Sequence, residues 1–486
     1  MRTHHRLRLT AALVILAHTV HQAKATGGAA LSVETRQAVC GLAEDLATFP
    51  AYVATQMKNA LQAEASVSAD ELKLQIYIQQ HSQSDGPKYI PLQAALAEKA
   101  QSNLDKLMTH TEKAIDATAA VANLQGRLAE TMEMMAGLHQ NSDPGTGAGC
   151  LARDASNVYT GRDKLTNCGA TTKSAAQKEP NPPSKINQQG FPQLSTTPGT
   201  TGTAAGTAQC HLTHTQANNG PTGTTRTADG ATLAAGYIKL ADNDAGWTLE
   251  DLRQLNTGHS SGKPKPFTDA HTKFTGHASS VPTIATSHQP LTLQAMTDSP
   301  AVKAAYKKIV KGDTAPYDKN KDEPTITNEI AATYGPADQF QANWIDKYTQ
   351  NKVDKISYGS GDTGTEALTG ETDINKLRKI LAYYTGIQAA AAATKLQEAQ
   401  AQIDKLKQSN VAAKKPQETN ETCEKKEVDK CEKPCKVVEA NGAKKCTLDK
   451  DEAKKLEEKT DGKTNTTGSN SFVIHKAPLW LAFLLF

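Results

Sequence analysis

Between Leu92 and His139 an apolar residue recurs at every seventh position: Ala100, Leu107, Ala114, Val121, Leu128 and Met135. Leu104, Thr111, Thr118 and Met132 lie on the neighbouring seam. A seven-residue repeat held this long demands a helix packed in coiled-coil fashion, since only that winding keeps the side chains on one line. At ~1.5 Å per residue the run predicts a helix about 70 Å long. Pro91 suits its first turn, and Asn141-Ser-Asp-Pro-Gly145 is a stop signal.

A second helical stretch, from about Leu31 to Gln80, carries Val39, Leu42, Leu46, Val53, Met57, Ala60 and Leu61 as its apolar stripe. Pro50 should bend or interrupt it. The turn-rich segment from Gln80 to Pro87 separates the two, which predicts an antiparallel helical hairpin. From Asp143 to about Gly236 the chain is rich in Thr, Gly, Ala, Asn and Pro, a composition of irregular loops. Short helical pieces are expected from Thr292 to Tyr348, with Tyr306, Ile309, Phe340, Trp344 and Ile345 as packing residues. Asp373 to Gln408 reads as another strong helix, striped by Leu377, Leu381, Tyr384, Ile387, Ala391, Leu396, Ala399, Ile403 and Leu406 and expected to pack alongside the hairpin. Apolar content of 38% with only 5% aromatics suits thin helical layers better than a thick core. The expected fold is mainly α. It comprises a long antiparallel helical hairpin or coiled-coil rod, a loop-rich head pinned by disulfides, and a small disulfide-rich C-terminal domain.

Both ends address the secretory route. Arg2, Arg6 and Arg8 precede an apolar stretch from Leu9 to Val20, and Ala23-Lys24-Ala25 offers a small-residue cleavage site. At the other end, the apolar run from Ala477 to Phe486 is half of the roughly 20 residues a membrane-crossing helix needs. Small residues, a short spacer and such a tail form the signal for a glycosylphosphatidylinositol (GPI) anchor. Eight cysteines in a secreted chain then read as four disulfides. They form two sets, Cys40, Cys150, Cys168 and Cys210, then Cys423, Cys431, Cys435 and Cys446. The only N-x-S/T sequons begin at Asn420 and Asn465. The expected organisation is a signal peptide over 1–25, a helical domain over 26–412 and a linker over 413–422. A stapled domain over 423–450, a tether over 451–469 and a removable tail over 470–486 follow.

No catalytic, cofactor or metal site is expected. Gly359-Ser-Gly361-Asp-Thr-Gly364 matches the spacing of a dinucleotide loop, but Ile356-Ser-Tyr358 is a poor strand and no β-α repeat surrounds it. Asp362-Thr-Gly364 lacks the second such loop that aspartic-protease chemistry needs. His259, His271, His277 and His288 lack the i, i+4 spacing of a helical metal site and are read as surface histidines. Cys431 and Cys435 are spaced like zinc ligands, but that segment holds no histidine and the compartment is oxidising. A net charge of +3 with interspersed signs argues against nucleic acid.

The features together resemble the variant surface glycoproteins of African trypanosomes, over nearly the whole chain. The tail from Asn465 to Phe486 is the most specific element, and the four N-terminal cysteines are similar in placement to the class A N-terminal domain. The resemblance implies a GPI anchor on Ser469 and the pairs Cys40–Cys168 and Cys150–Cys210. For the single four-cysteine C-terminal group, the pairs Cys423–Cys435 and Cys431–Cys446 are favoured. A Cys40–Cys168 bridge would close a loop of over one hundred residues, worth up to about 4–5 kcal/mol of chain entropy. The resemblance further implies an elongated homodimer on the outer leaflet of the plasma membrane, held by lipid alone. Its role would be a dense coat facing host antibodies, renewed by antigenic variation for immune evasion. A GPI-anchored helical-bundle receptor for a host serum protein is the alternative.

Overall fold

The computed structural model describes residues 28–139, 149–152, 162, 165, 168, 171–197, 210–213, 230–240, 247–412 and 418–454. They divide into two compact units. The first holds the chain up to 78, 82–352 and 367–377; the second holds 79–81, 353–366 and the chain from 378 onward.

The first unit is built on three helices. Helix α1 (Val33–Leu46) opens at Ser32, whose hydroxyl accepts the Thr35 amide at 3.2 Å, with Glu34 favourably placed in the first turn. It stops at Ala47, and α2 (Phe49–Gln80) begins with Pro50 in its first turn, where the missing amide costs nothing. The interruption expected at Pro50 is therefore a clean break between two helices. Helix α3 (Ile90–Gly137) is 48 residues long, about 72 Å at the usual rise. It runs antiparallel to α2: Met57 meets Thr111, Glu64 meets Asn103, and Tyr77 packs at a tilt against Tyr89.

The predicted seam is the buried face of α3. Leu107, Ala114, Val121, Leu128 and Met135 are all buried, joined by Ala117, Leu124 and Met132. From Ala114 on they share a core with Val39, Leu42, Leu46, Phe49 and Val53 of α1 and α2, while Leu107 packs with Ala60 and Ile284. Leu104 and Thr111 of the neighbouring seam turn outward: Leu104 is exposed and Thr111 is half-buried.

Helix α4 (Lys265–Ser280) closes the same core with Phe267, Ala270 and Phe274. The sequence reading placed no helix over this stretch. A three-stranded antiparallel sheet, β1 (Thr232–Leu233), β2 (Ile238–Leu240) and β3 (Trp247–Leu249), adds Tyr237 and Ile238.

A second core lies where α2 turns into α3. It gathers Leu74, Tyr77, Tyr89, Leu92 and Leu96 with residues of α5 (Leu293–Asp298), α6 (Pro300–Ala305), α7 (Lys319–Tyr334) and α8 (Asp346–Thr349). Few aromatics are available, and several meet here: Trp344 packs on Tyr89 at 5.1 Å and on Tyr334 at 4.6 Å between ring centres. Buried Lys303 and Lys307 bond Glu323 and Asp322, tying the short helices to α7. Tyr306, Phe340 and Ile345 are buried as expected, while Ile309 and Trp344 are half-buried.

Strands β4 (Lys352–Asp354) and β5 (Thr365–Ala367) pair, and Asp354 exchanges hydrogen bonds with the Tyr384 hydroxyl at 2.9 and 3.0 Å. Helix α9 (Ile374–Ala412) buries Leu377, Ile380 and Tyr384 near its start. Its later stripe does not pack as expected. Leu396, Ile403 and Leu406 are exposed.

Burial fixes the ranking of substitutions. Leu124→Ala, at a fully buried site on α3, should cost about 2–5 kcal/mol of unfolding free energy in urea titration. Leu396→Ala, at 67% exposure, should stay within about 0.5 kcal/mol.

Candidate functional site

The described parts of the loop-rich head hang on two disulfides and on residues 28–32. Cys40, inside α1, bonds Cys168 across 128 residues, and Cys150 bonds Cys210 across 60. The Leu31 amide donates to the Cys150 carbonyl at 2.8 Å, and Ala152 donates back to Leu31 at 2.9 Å. Cys210 donates to Gly28 at 3.0 Å. The Ala29 carbonyl accepts from the Thr213 hydroxyl at 2.8 Å and the Trp247 indole at 3.0 Å. Residues 28–32 therefore thread between the two cysteine segments. At Gly28 a Cβ would sit 2.0 Å from the Thr213 carbonyl oxygen, so only glycine fits.

The stretch 171–197 has no helix or strand, yet Ile186, Phe191 and Leu194 are buried in the first core. Asp45 of α1 accepts from the Lys185 amide at 2.7 Å. His271 Nε2 donates to the carbonyls of Asn187 and Gln188 at 3.1 and 3.2 Å, leaving burial to hold this imidazole below its ordinary pKa. The head is thus pinned both by disulfides and by polar contacts to helix side chains.

Two histidines correct the sequence reading. His271 and His277 are buried on α4, at 4% and 1% exposure. The stripe Phe267, Ala270, His271, Phe274 and His277 shows helical spacing that would have revealed both. His259 and His288 are exposed, with His288 Nε2 2.8 Å from Asp70.

The small C-terminal body gathers its cysteines closely. Cys423 bonds Cys435 and Cys431 bonds Cys446; three of the four are buried around Leu448. Helix α10 (Asn420–Glu424) packs beside a hairpin of β6 (Cys435–Ala440) and β7 (Ala443–Leu448). Asn441 and Gly442 join the strands, both at positive φ, as a two-residue hairpin turn requires. The Asn-Gly pair was a legible signal for this hairpin. Glu418 lies against Cys423 and Cys435, but both sulfurs are committed to a disulfide and cannot ligate metal.

Asn420 stands exposed at the start of α10. Its Oδ1 accepts the Leu448 amide at 3.0 Å, and its Nδ2 donates to Glu424 at 2.9 Å. Asn465 and Ser469 lie outside the described residues, as do the signal-peptide and tail segments. The Gly359–Gly364 loop joins β4 to β5, and a strand rather than a helix follows Gly364. Gly359 and Gly364 both adopt positive φ there, which accounts for the glycines as turn residues. Asp362 is exposed and faces Lys355 at 3.8 Å.

A family model described as Trypanosome variant surface glycoprotein (A-type) matches residues 11–385, and one described as Variant surface glycoprotein ETAT matches residues 436–486. Variant surface glycoprotein MITAT 1.2 of Trypanosoma brucei brucei is 28% identical over 93% of this chain and 92% of its own length. Variant surface glycoprotein ILTAT 1.1BC, also of Trypanosoma brucei brucei, is 58% identical over a shorter stretch, 14% of this chain and 17% of the relative. Among solved structures, that of MITat 1.1 shares the fold with a TM-score of 0.60 at 19% identity, covering 76% of this chain and all of its own. The fold is thus of the class that builds long helical hairpins under disulfide-pinned loops. The chain belongs to the A-type variant surface glycoprotein family of trypanosomes, which are surface coat proteins and not enzymes.

The staples should carry measurable weight. Replacing Cys150 and Cys210 together by Ser opens a 60-residue separation and should lower unfolding free energy by about 4 kcal/mol in urea titration.

Proposed function

We propose that this chain is a GPI-anchored coat glycoprotein that shields the cell surface and evades host immunity by antigenic variation. The paired matches, over residues 11–385 and 436–486, carry this reading because the second includes the whole predicted anchor signal. Ser469 would receive the anchor, with the mature chain running from 26 to 469. Among the described residues no helix is long and apolar enough to cross a membrane. Lipid attachment supplies the hold that a spanning helix would otherwise give.

Asn420 and Asn465 would carry N-linked glycan. At Asn420 a sugar on Nδ2 leaves Oδ1 free to keep the Leu448 bond, so the folded small domain tolerates the modification.

The active form is a homodimer, with the outer face of the hairpin as its seam. Ile115, Met108, Leu61 and Leu104 are 65%, 60%, 56% and 43% exposed and lie on adjoining stretches of α2 and α3. Leu104, Met108, Thr111, Ile115 and Thr118 keep alternating spacings of four and three, the pattern of a second coiled-coil seam. A copy of the same hairpin presents a matching stripe, and four helices then share it.

Two outcomes test these points. Phosphatidylinositol-specific phospholipase should release the protein from intact cells, with ethanolamine and glycan on Ser469 in the released C-terminal peptide; retention on the membrane after effective digestion contradicts the anchor. Ile115→Glu combined with Met108→Glu should convert the released dimer to monomer in sedimentation velocity with circular dichroism unchanged.

A further inference from the structure

We propose that His110 and His277 form an acid-sensitive latch that holds α4 on the hairpin while neutral and frees it when protonated. The inference goes beyond the coat function and uses residues to which that function assigns no task. His110 lies on α3 and His277 on α4, with ring centres 4.9 Å apart and exposures of 0% and 1%. Phe49 and Tyr52 of α2 stand edge-on to His277 at 5.4 and 6.1 Å, so three helices meet at these rings.

The hydrogen bonds fix the protonation state of His110. The Ser280 hydroxyl donates its single proton to the His277 carbonyl at 2.7 Å. Its oxygen must therefore accept from His110, whose Nδ1 lies 2.8 Å away. With the proton on Nδ1, the Nε2 of His110 is a bare lone pair, buried without a hydrogen-bond partner among the described residues. His277 Nε2 is likewise buried without a hydrogen-bond partner among them. Protonating either atom would place a charged N–H against apolar walls.

The charged neighbours give no relief. Lys113 on α3 is the charge that acts on His110, and His110 itself acts on His277; both are repulsive to a new cation. Among the described residues, the only carboxylate joining α3 to α4 in an ion pair is Asp116, bonded to Lys273 at 2.6 Å on the exposed side. Tyr52 holds its proton more tightly than usual through burial, and it contributes no anion. Burial sets His277 down to about 4 and also lowers His110. Because the held form binds protons more weakly than a released histidine near 6.5, the grip is complete above about pH 6.5 and is lost as pH falls toward 4.

Amide hydrogen exchange on the full-length glycoprotein, corrected for intrinsic rates, tests the latch at about pH 7 and pH 5. Protection of residues 265–280 should drop roughly twentyfold from the higher to the lower pH through His277 alone. In His110→Gln with His277→Gln the protection of α4 should no longer depend on pH, whatever its level. An equal pH-dependent loss in wild type and variant overturns the proposal. Should that variant not fold, NMR titration of wild-type His277 decides: a midpoint near 4 supports the latch, and one near 6.5 in the folded protein contradicts it.

Discussion

The buried seam of α3 is the contact on which the rest of this molecule depends. Helix length alone would not hold, since an isolated helix draws little stability from propensity. What holds it is the continuous apolar face, met by α1 and α2 on one side and by α4 on another. Alanines at 114, 117, 129 and 136 keep that face thin and allow close approach of neighbours. A chain with only 5% aromatics can then be stable without a thick core, and it groups large rings at the turn of the hairpin, at the Phe49–His277 junction and around Phe191, Phe267 and Tyr237.

The same constraint explains the staples. Loops rich in Thr, Gly and Asn bury too little apolar area to order themselves, so the described head segments are tied to the hairpin by Cys40–Cys168, Cys150–Cys210 and the threaded residues 28–32. The small C-terminal body repeats the solution on a smaller scale, with cysteines as its core.

Legibility in the sequence followed the strength of the local pattern. The seven-residue repeat of α3, the break at Pro50 and the short helices after Thr292 were readable because each follows from periodicity or a helix-breaking residue. Helix α4 was missed although Phe267, Ala270 and Phe274 keep helical spacing, because only three apolar residues mark its stripe and histidines at 271 and 277 complete it. His271 and His277 were misplaced on the surface for the same reason. The β6–β7 hairpin was missed although Asn441-Gly442 announces it, because the flanking strands are largely exposed and carry little alternation. The stripe of α9 was over-read: spacing shows which residues share a face, and it cannot show whether a neighbour is there. Of the candidate site, the cysteine sets and the Asn420 sequon were plain in the sequence, while the hydrogen bonds that seat them required coordinates.

Native-state hydrogen exchange resolved by peptide tests the central claim most directly. If the α3 seam is the spine, amides of residues 114–136 exchange last, together with residues 38–53 of α1 and α2, and only by global unfolding. Exchange of 114–136 as fast as that of the exposed later turns of α9 would contradict the account.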